Sequence, residues 1–256
     1  MDSSLNIAII QADMNWESSA ENLELYDSML DNIDADLVIL PEMFSTGFTM
    51  NPSRVAETMQ GESISWMKRC AERTGSAVCG SLAIEENGHF YNRLLFVKPS
   101  GEIQHYDKRH LFTMAGEPEA YAAGKDRLVL EYKGWKLCPL VCYDLRFPVF
   151  SRNDVDYDLL IYVANWPEPR IMAWDTLLKA RAIENVCYVA GINRVGQDGN
   201  GHRYPGHSQV LDCFGNGMAS CGDQATTVQI RLDRNSLQEA RKKFPFLADR
   251  DDFTVK

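Results

Sequence analysis

The chain has 256 residues, of which 45% are apolar and 24% charged, ordinary values for a soluble globular protein able to bury a sizeable core. Its formal net charge of −10 disfavours nucleic acid or an anionic membrane as the main partner, since either needs a basic face, but leaves room for a local basic pocket that holds a small anion. The seven cysteines, an odd number without paired spacing, speak against a disulfide framework and for a reducing compartment.

In chain order, "LNIAIIQAD" reads as a buried strand. It carries neither a basic n-region nor a long apolar h-region, and no apolar run approaches the ~20 residues of a membrane span, so the expectation is a cytoplasmic protein. "SSAENLELYDSMLDNI" places Leu23, Tyr26, Leu30 and Ile33 at helical spacing, with Ser18 or Ser19 as cap. "DLVILPEMF" is a second buried strand that stops at Pro41, which leaves Glu42 at its exit. "ESISWMKRCAERTG" is a helix closed by Gly75. "SAVCGSLAIE" and "HFYNRLLFVKP" form a hairpin through Glu86-Asn87-Gly88, and "EIQHYDKRHLF" is a strand ending near Lys108.

The second half repeats the logic. "RLVLEY" and "WKLCPLVC" flank a Lys133-Gly134 turn, "YDLLIYVANW" is a buried strand, and "RIMAWDTLLKARAIEN" is an amphipathic helix. The strand "VCYVAGINR", a Gly-rich loop "GQDGNGHRYPGH", the strands "HSQVLDCF", "GMASC" and "TTVQIRL", and a helix from near Ser236 complete the chain. This α/β pattern predicts two sheets face to face with helices on the outer faces.

Two cysteines stand four residues apart in "CPLVCYDLRFP". In a strand that spacing is roughly 13 Å, beyond the ~7 Å limit on Cα separation for a disulfide. Cys138 lies inside the apolar run and reads as a small hydrophobe, as do Cys70, Cys79, Cys187, Cys213 and Cys221. Cys142 sits where the strand gives way to a polar turn, a place equally suited to filler or to a nucleophile. A thiol nucleophile needs a base and a cation nearby, because its ordinary pKa of ~8.5 leaves little thiolate at neutral pH. Glu42 and Lys108 stand at two other strand exits. Singly each reads as a solvated loop charge; jointly that reading weakens. The helix pairs Asp175/Lys179 and Arg181/Glu184 have ion-pair spacing, His202 and His207 lack a third ligand for a metal site, and "GQDGNG" lacks the Lys-Ser/Thr of a phosphate loop.

Taken together, "LPEMFSTGF", "YDKRHLF" and "CYDLRFP" resemble the three signature blocks of the nitrilase (carbon–nitrogen hydrolase) superfamily. "EPEAYAAG", "YVANWPEPR", "LLKARAIENVCYVAGINRVG" and "YPGHSQV" extend the resemblance, which is greatest to the bacterial omega-amidase branch. The resemblance implies one domain over residues 1–256 with a four-layer α-β-β-α sandwich, assembled as a homodimer or larger homo-oligomer. It implies Cys142 as nucleophile, Glu42 as general base, Lys108 as catalytic lysine and Glu117 as supporting glutamate, with the Tyr143 backbone N–H as oxyanion donor and neither metal nor cofactor. The implied substrate is a small linear amide such as 2-oxoglutaramate or 2-oxosuccinamate. Alternatives are a deaminated-glutathione amidase, an aliphatic amidase, an N-carbamoyl amide hydrolase, a nitrilase, or an inactive binding relative.

A substrate carboxylate would suit Arg146 or Arg170, though each also reads as a solvated or capping arginine. Trp166, with Phe44 and Phe48, would wall the pocket, or pack in the core. Pro139 removes a ladder donor just before the nucleophile, so its strand should be an edge there or carry a bulge.

Overall fold

A computed structural model describes residues 3–254. In chain order the elements are β1 (Ser4–Gln11), α1 (Ser19–Met29), β2 (Leu37–Ile39), α2 (Pro52–Val55), α3 (Glu62–Thr74), β3 (Ala77–Glu86), β4 (His89–Val97), β5 (Ile103–Asp107) and α4 (Glu117–Ala120). There follow β6 (Leu130–Tyr132), β7 (Trp135–Val141), β8 (Leu159–Ala164), α5 (Ile171–Asn185) and β9 (Tyr188–Asn193). The chain ends with β10 (Val195–Gln197), β11 (Arg203–Pro205), β12 (Gln209–Leu211), β13 (Gly217–Ser220), β14 (Thr226–Asp233) and α6 (Arg234–Lys243).

Two six-stranded sheets result, in the orders β14-β1-β2-β3-β4-β5 and β13-β12-β9-β8-β7-β6. Each has a parallel centre, β1-β2-β3 in one and β7-β8-β9 in the other, flanked by antiparallel strands. The alternation of β1 shows why its sequence reads as a continuous apolar run. Leu5, Ile7 and Ile9 belong to the core that includes the second sheet, whereas Ala8 and Ile10 pack with Tyr26 of α1 and Trp66 of α3. Both faces are covered, so neither needs a polar residue. On the far side, Trp174, Leu178 and Ala182 of α5 join the core of the second sheet, completing the expected four layers.

The predicted turns form because their residues tolerate positive φ. Asn87 and Gly88 (φ 53° and 75°) close β3–β4, and Lys133 and Gly134 (φ 48° and 80°) close β6–β7, the paired left-handed conformations that match strand twist. Ser18 occupies the cap position of α1 without a side-chain cap bond; Ser19 instead meets Ser63 Oγ at 3.2 Å. The last helix begins at Arg234, capped by Asp233, whose carboxylate accepts from the Asn235 N–H at 3.0 Å. The Gly-rich loop contains the short β10–β11 hairpin. β7 runs in unbroken register with β8 through Pro139, and β6 partners it only as far as Leu137. Pro139 therefore lies where β7 is locally an edge, without a bulge.

Candidate active site

The topology brings the suspected residues together. β1, β2 and β3 run parallel, β4 reverses and β5 reverses again, so the C-terminal exits of β2 and β5 share one end of their sheet. Glu42 follows β2 and Lys108 follows β5. From the other sheet, Cys142 follows β7 and Asn165 follows β8, its parallel neighbour.

Glu42, Lys108 and Glu117 are fully buried, and the lysine joins the two carboxylates. Lys108 Nζ donates to Glu42 Oε1 at 2.9 Å and to both Glu117 oxygens at 3.0 and 2.9 Å. Its backbone is pinned on both sides, the N–H to Asn92 O and the carbonyl by the Gly124 N–H. A Cβ at Gly124 would lie 2.1 Å from Asp107 O, so the close approach that fixes Lys108 requires glycine there. Burial opposes the Lys108 charge, but the Glu117 and Glu42 carboxylates outweigh it and hold the ammonium above its ordinary value. Burial also raises the Glu117 carboxyl, against the pull of Lys108 and reinforced by Glu42.

Two amides complete the cluster. Asn92 Nδ2 donates to Glu42 Oε1 at 2.8 Å and reaches Glu117 Oε1 at 3.3 Å. Asn165 donates its backbone N–H to Glu42 Oε2 at 2.8 Å and its Nδ2 to Glu42 O at 2.6 Å. Met43, next to Glu42, adopts φ 44° and is held by the Ser81 hydroxyl, which accepts its N–H at 2.9 Å. Both carboxylate oxygens of Glu42 thus have fixed donors on a constrained backbone.

Cys142 is itself in the left-handed region (φ 44°), at the start of a tight 3-10 turn over Cys142–Arg146. Asp144 secures that turn. Its Oδ2 accepts from Val141 N (2.9 Å) and Tyr106 Oη (2.8 Å), and its Oδ1 from His110 N (3.2 Å), with His110 Nδ1 at 2.7 Å. The His110 ring stacks on Phe147, centroids 3.8 Å apart. As the second residue of the turn, Tyr143 has its N–H among the N-terminal amides that lack a partner inside it. Burial, and then the Glu42 carboxylate through charge and a side-chain hydrogen bond, push the Cys142 thiol well above its ordinary value, with Lys108 pulling the other way. The resting sulfur is therefore a thiol beside a carboxylate, an arrangement that can pass one proton from sulfur to oxygen.

Removing the Asp144 carboxylate leaves two buried donors, the Val141 N–H and the Tyr106 hydroxyl, without this acceptor, each costing about 1–3 kcal/mol, and frees the part-buried His110 N–H as well. Asp144→Ala is expected to lower stability in urea unfolding more than Asp144→Asn, which keeps one acceptor oxygen. Both should loosen the turn that carries Cys142.

Cys142 opens into a cavity of about 560 Å³ lined by Phe48, Tyr143, Arg146, Trp166 and Arg170, with Trp16, Phe112, Asn165, Asp198, His202 and Tyr204 among the others. Trp166 is clamped by Asn193, which accepts the Trp166 N–H at 2.7 Å and donates to its carbonyl at 2.9 Å. Arg146 lies over the Trp166 ring at 5.1 Å and Arg170 over Phe112 at 5.0 Å. Neither guanidinium is paired with a carboxylate among the described residues. Phe48 lies under Lys108, its ring 5.0 Å from Nζ. Phe44 does not wall the pocket: it is fully buried in the outer core, edge-on to Tyr26 at 5.6 Å and beside Trp66 at 5.8 Å, in space that Gly80 leaves open.

The other flagged groups have structural partners. Asp175 turns to His207 Nδ1 (2.9 Å) and Gln209 (3.0 Å) instead of along its helix to Lys179. Arg181 pairs with Glu184 as its spacing predicts and also donates to Leu145 O. His202 meets Asp198 at 3.3 Å. Cys138 and the five cysteines read as filler are buried and free, and Cys142 is partly exposed.

Asn92, Asn165 and Asp144 escape a reading based on charge and spacing, because a lone amide or turn aspartate has many structural uses. Only Asn165 leaves a trace, a polar residue at a buried strand's exit like Glu42 and Cys142.

The carbon–nitrogen hydrolase family model matches residues 6–242. Omega-amidase YafV of Yersinia enterocolitica is 47% identical over 99% of both chains. The 2-oxoglutaramate amidase of Bacillus subtilis is 32% identical, over 95% of this chain and 96% of that one. The crystal structure of XC1258 from Xanthomonas campestris, a CN-hydrolase superfamily protein with an arsenic adduct in its active site, superposes with a TM-score of 0.97 at 44% identity, covering 99% of both chains. This chain belongs to the carbon–nitrogen hydrolase family, within the nitrilase superfamily, and is a hydrolase of carbon–nitrogen bonds other than peptide bonds.

Proposed function

We propose that the chain is an omega-amidase that releases ammonia from a short 2-oxo dicarboxylic acid monoamide, 2-oxoglutaramate or 2-oxosuccinamate, through a thioester on Cys142. Glu42 takes the Cys142 proton as sulfur attacks the amide carbonyl. Lys108 Nζ and the Tyr143 N–H receive the oxyanion, a contribution of roughly 3–4 kcal/mol per well-placed donor. Glu42 returns the proton to the departing nitrogen as the C–N bond breaks. It then draws a proton from water, whose oxygen attacks the thioester and releases the acid and the free thiol. Glu117 holds Lys108 through hydrogen bonds from Nζ to both of its carboxylate oxygens.

The observation that carries this reading is the buried Glu42–Lys108–Glu117 cluster beside the Cys142 thiol, opening into a cavity with two arginines that no carboxylate pairs among the described residues. Those arginines suit a substrate with a carboxylate. The names of the Yersinia and Bacillus relatives point the same way. The reading extends to a cytoplasmic protein, in keeping with its seven free cysteines, acting as a homodimer or larger homo-oligomer.

Ammonia release across 2-oxoglutaramate, 2-oxosuccinamate, glutamine, deaminated glutathione, simple nitriles and carbamoyl amino acids tests the substrate. The 2-oxo acid amides are expected to lead by kcat/KM; a nitrile or carbamoyl compound in first place would refute the assignment. Arg146→Ala and Arg170→Ala should raise KM for carboxylate-bearing amides by about 10–100-fold, the worth of a charge-assisted hydrogen bond. Uncharged amides should be nearly indifferent to both changes.

A further inference from the structure

The cavity has one wall whose position is set from behind by two glycines. Trp16 lines the cavity, and its loop is tied down on every side. The Glu17 N–H donates to Thr46 O at 2.8 Å, and Asn22 bonds Asn15 twice at 2.7 Å and Ser45 O at 2.8 Å. The fully buried Arg194 donates to Met14 O at 3.0 Å and Val195 O at 2.9 Å, and joins this loop to the β10–β11 hairpin. Tyr204 of that hairpin, also in the cavity wall, covers the Arg194 guanidinium at 4.9 Å.

Against this fixed frame the indole touches bare backbone at two edges. A Cβ at Gly199 would lie 2.4 Å from Trp16 Cδ1 and Nε1, and one at Gly47 would lie 3.1 Å from Cε3. The five-membered edge thus rests on Gly199 and the six-membered edge on Gly47, which leaves the cavity as the direction in which the ring can yield. Gly47 requires its glycine for conformation as well (φ 75°). Gly199 is outside the left-handed region, so its φ does not itself call for glycine, and the nearest obstacle to a Cβ is the Trp16 indole.

We propose that Trp16, backed by Gly199 and Gly47, sets the length of acyl chain that the site accepts, and that Gly199 is a specificity-determining position acting through the indole. The inference rests on the amidase reading of Cys142. Each methylene that a wall admits or excludes is worth about tenfold or more in kcat/KM.

The test is ammonia release from a ladder of ω-monoamides of straight-chain dicarboxylic acids, each one methylene longer than the last. Native protein, Trp16→Ala, Trp16→Phe, Gly199→Ala and the Trp16→Ala/Gly199→Ala double variant are compared by the long-to-short ratio of kcat/KM. Trp16→Ala should raise that ratio about tenfold, and Trp16→Phe less but in the same direction, which keeps the test alive if the alanine variant is poorly folded. Gly199→Ala should lower it severalfold in the native background and leave it unmoved without the indole. Unchanged ratios in both Trp16 variants, or an equal effect of Gly199→Ala with and without Trp16, would overturn the proposal. If the native protein released ammonia neither from the ladder nor from 2-oxoglutaramate, the amidase reading itself would fall, and this inference with it; release from 2-oxoglutaramate alone would overturn this inference and leave that reading standing.

Discussion

Lys108→Met is expected to lower turnover by about 10²–10³-fold and to cost about 3–5 kcal/mol of stability, the penalty for removing one partner of a buried ion pair. Lys108 Nζ is the shared partner of Glu42 and Glu117, all three are fully buried, and Nζ makes three charge-assisted hydrogen bonds at 2.9–3.0 Å. Without the ammonium, two carboxylates face each other across Asn92, and at least one must take up a proton to remain folded. The catalytic loss adds a separate factor of about 10²–10³ for the missing oxyanion donor. Urea unfolding reads the first effect and single-turnover ammonia release the second. Lys108→Met/Glu117→Gln should recover much of the stability and none of the activity, which separates the two roles.

Glu42→Gln should eliminate turnover, with a milder structural effect. Both Glu42 oxygens accept from fixed donors, Lys108 and Asn92 on one side and the Asn165 N–H on the other. A glutamine must turn its NH₂ toward one of these sides, and that donor–donor contact costs about 1–3 kcal/mol. The thiol gives a second readout of opposite sense. The Glu42 charge helps hold the Cys142 pKa up while Lys108 pulls it down, so removing Glu42 lowers it. Thiolate absorbance, taken as the difference from Cys142→Ala, should therefore appear at lower pH in Glu42→Gln than in the native protein. A more ionised but inactive cysteine would identify the missing function as proton transfer to and from nitrogen and water, beyond simple activation of sulfur.

The parts of this molecule legible in its sequence are those with local causes. The Asn87-Gly88 and Lys133-Gly134 turns depend on residues that tolerate positive φ, and the buried strands on apolar runs covered on both faces. Glu42, Lys108 and Cys142 stand at the exits of buried strands, where each alone also reads as a loop charge or as filler; the joint resemblance of their three blocks, and of "EPEAYAAG" for Glu117, to the family is what implied their roles. The remainder depends on tertiary context. Phe44 could have turned to the cavity or to the helices, and the slot beside Gly80, distant in sequence, decides for the helices. Asp175 could have paired along its helix, but His207, just before β12, and Gln209, its first residue, are presented to it. The β10–β11 hairpin lay hidden in a Gly-rich stretch, because strands this short carry no periodicity. Asn92 and Asn165 acquire meaning only when two sheets bring them to the same carboxylate.

The claim on which the rest depends is that Cys142 carries the acyl group. Intact-protein and peptide mass spectrometry after rapid quenching of the native enzyme with 2-oxoglutaramate tests it most directly. The account predicts an adduct equal to the substrate less ammonia, located on the peptide containing Cys142, with neither adduct nor ammonia release from Cys142→Ala. Full turnover by Cys142→Ala, with no adduct on the native protein, would contradict it.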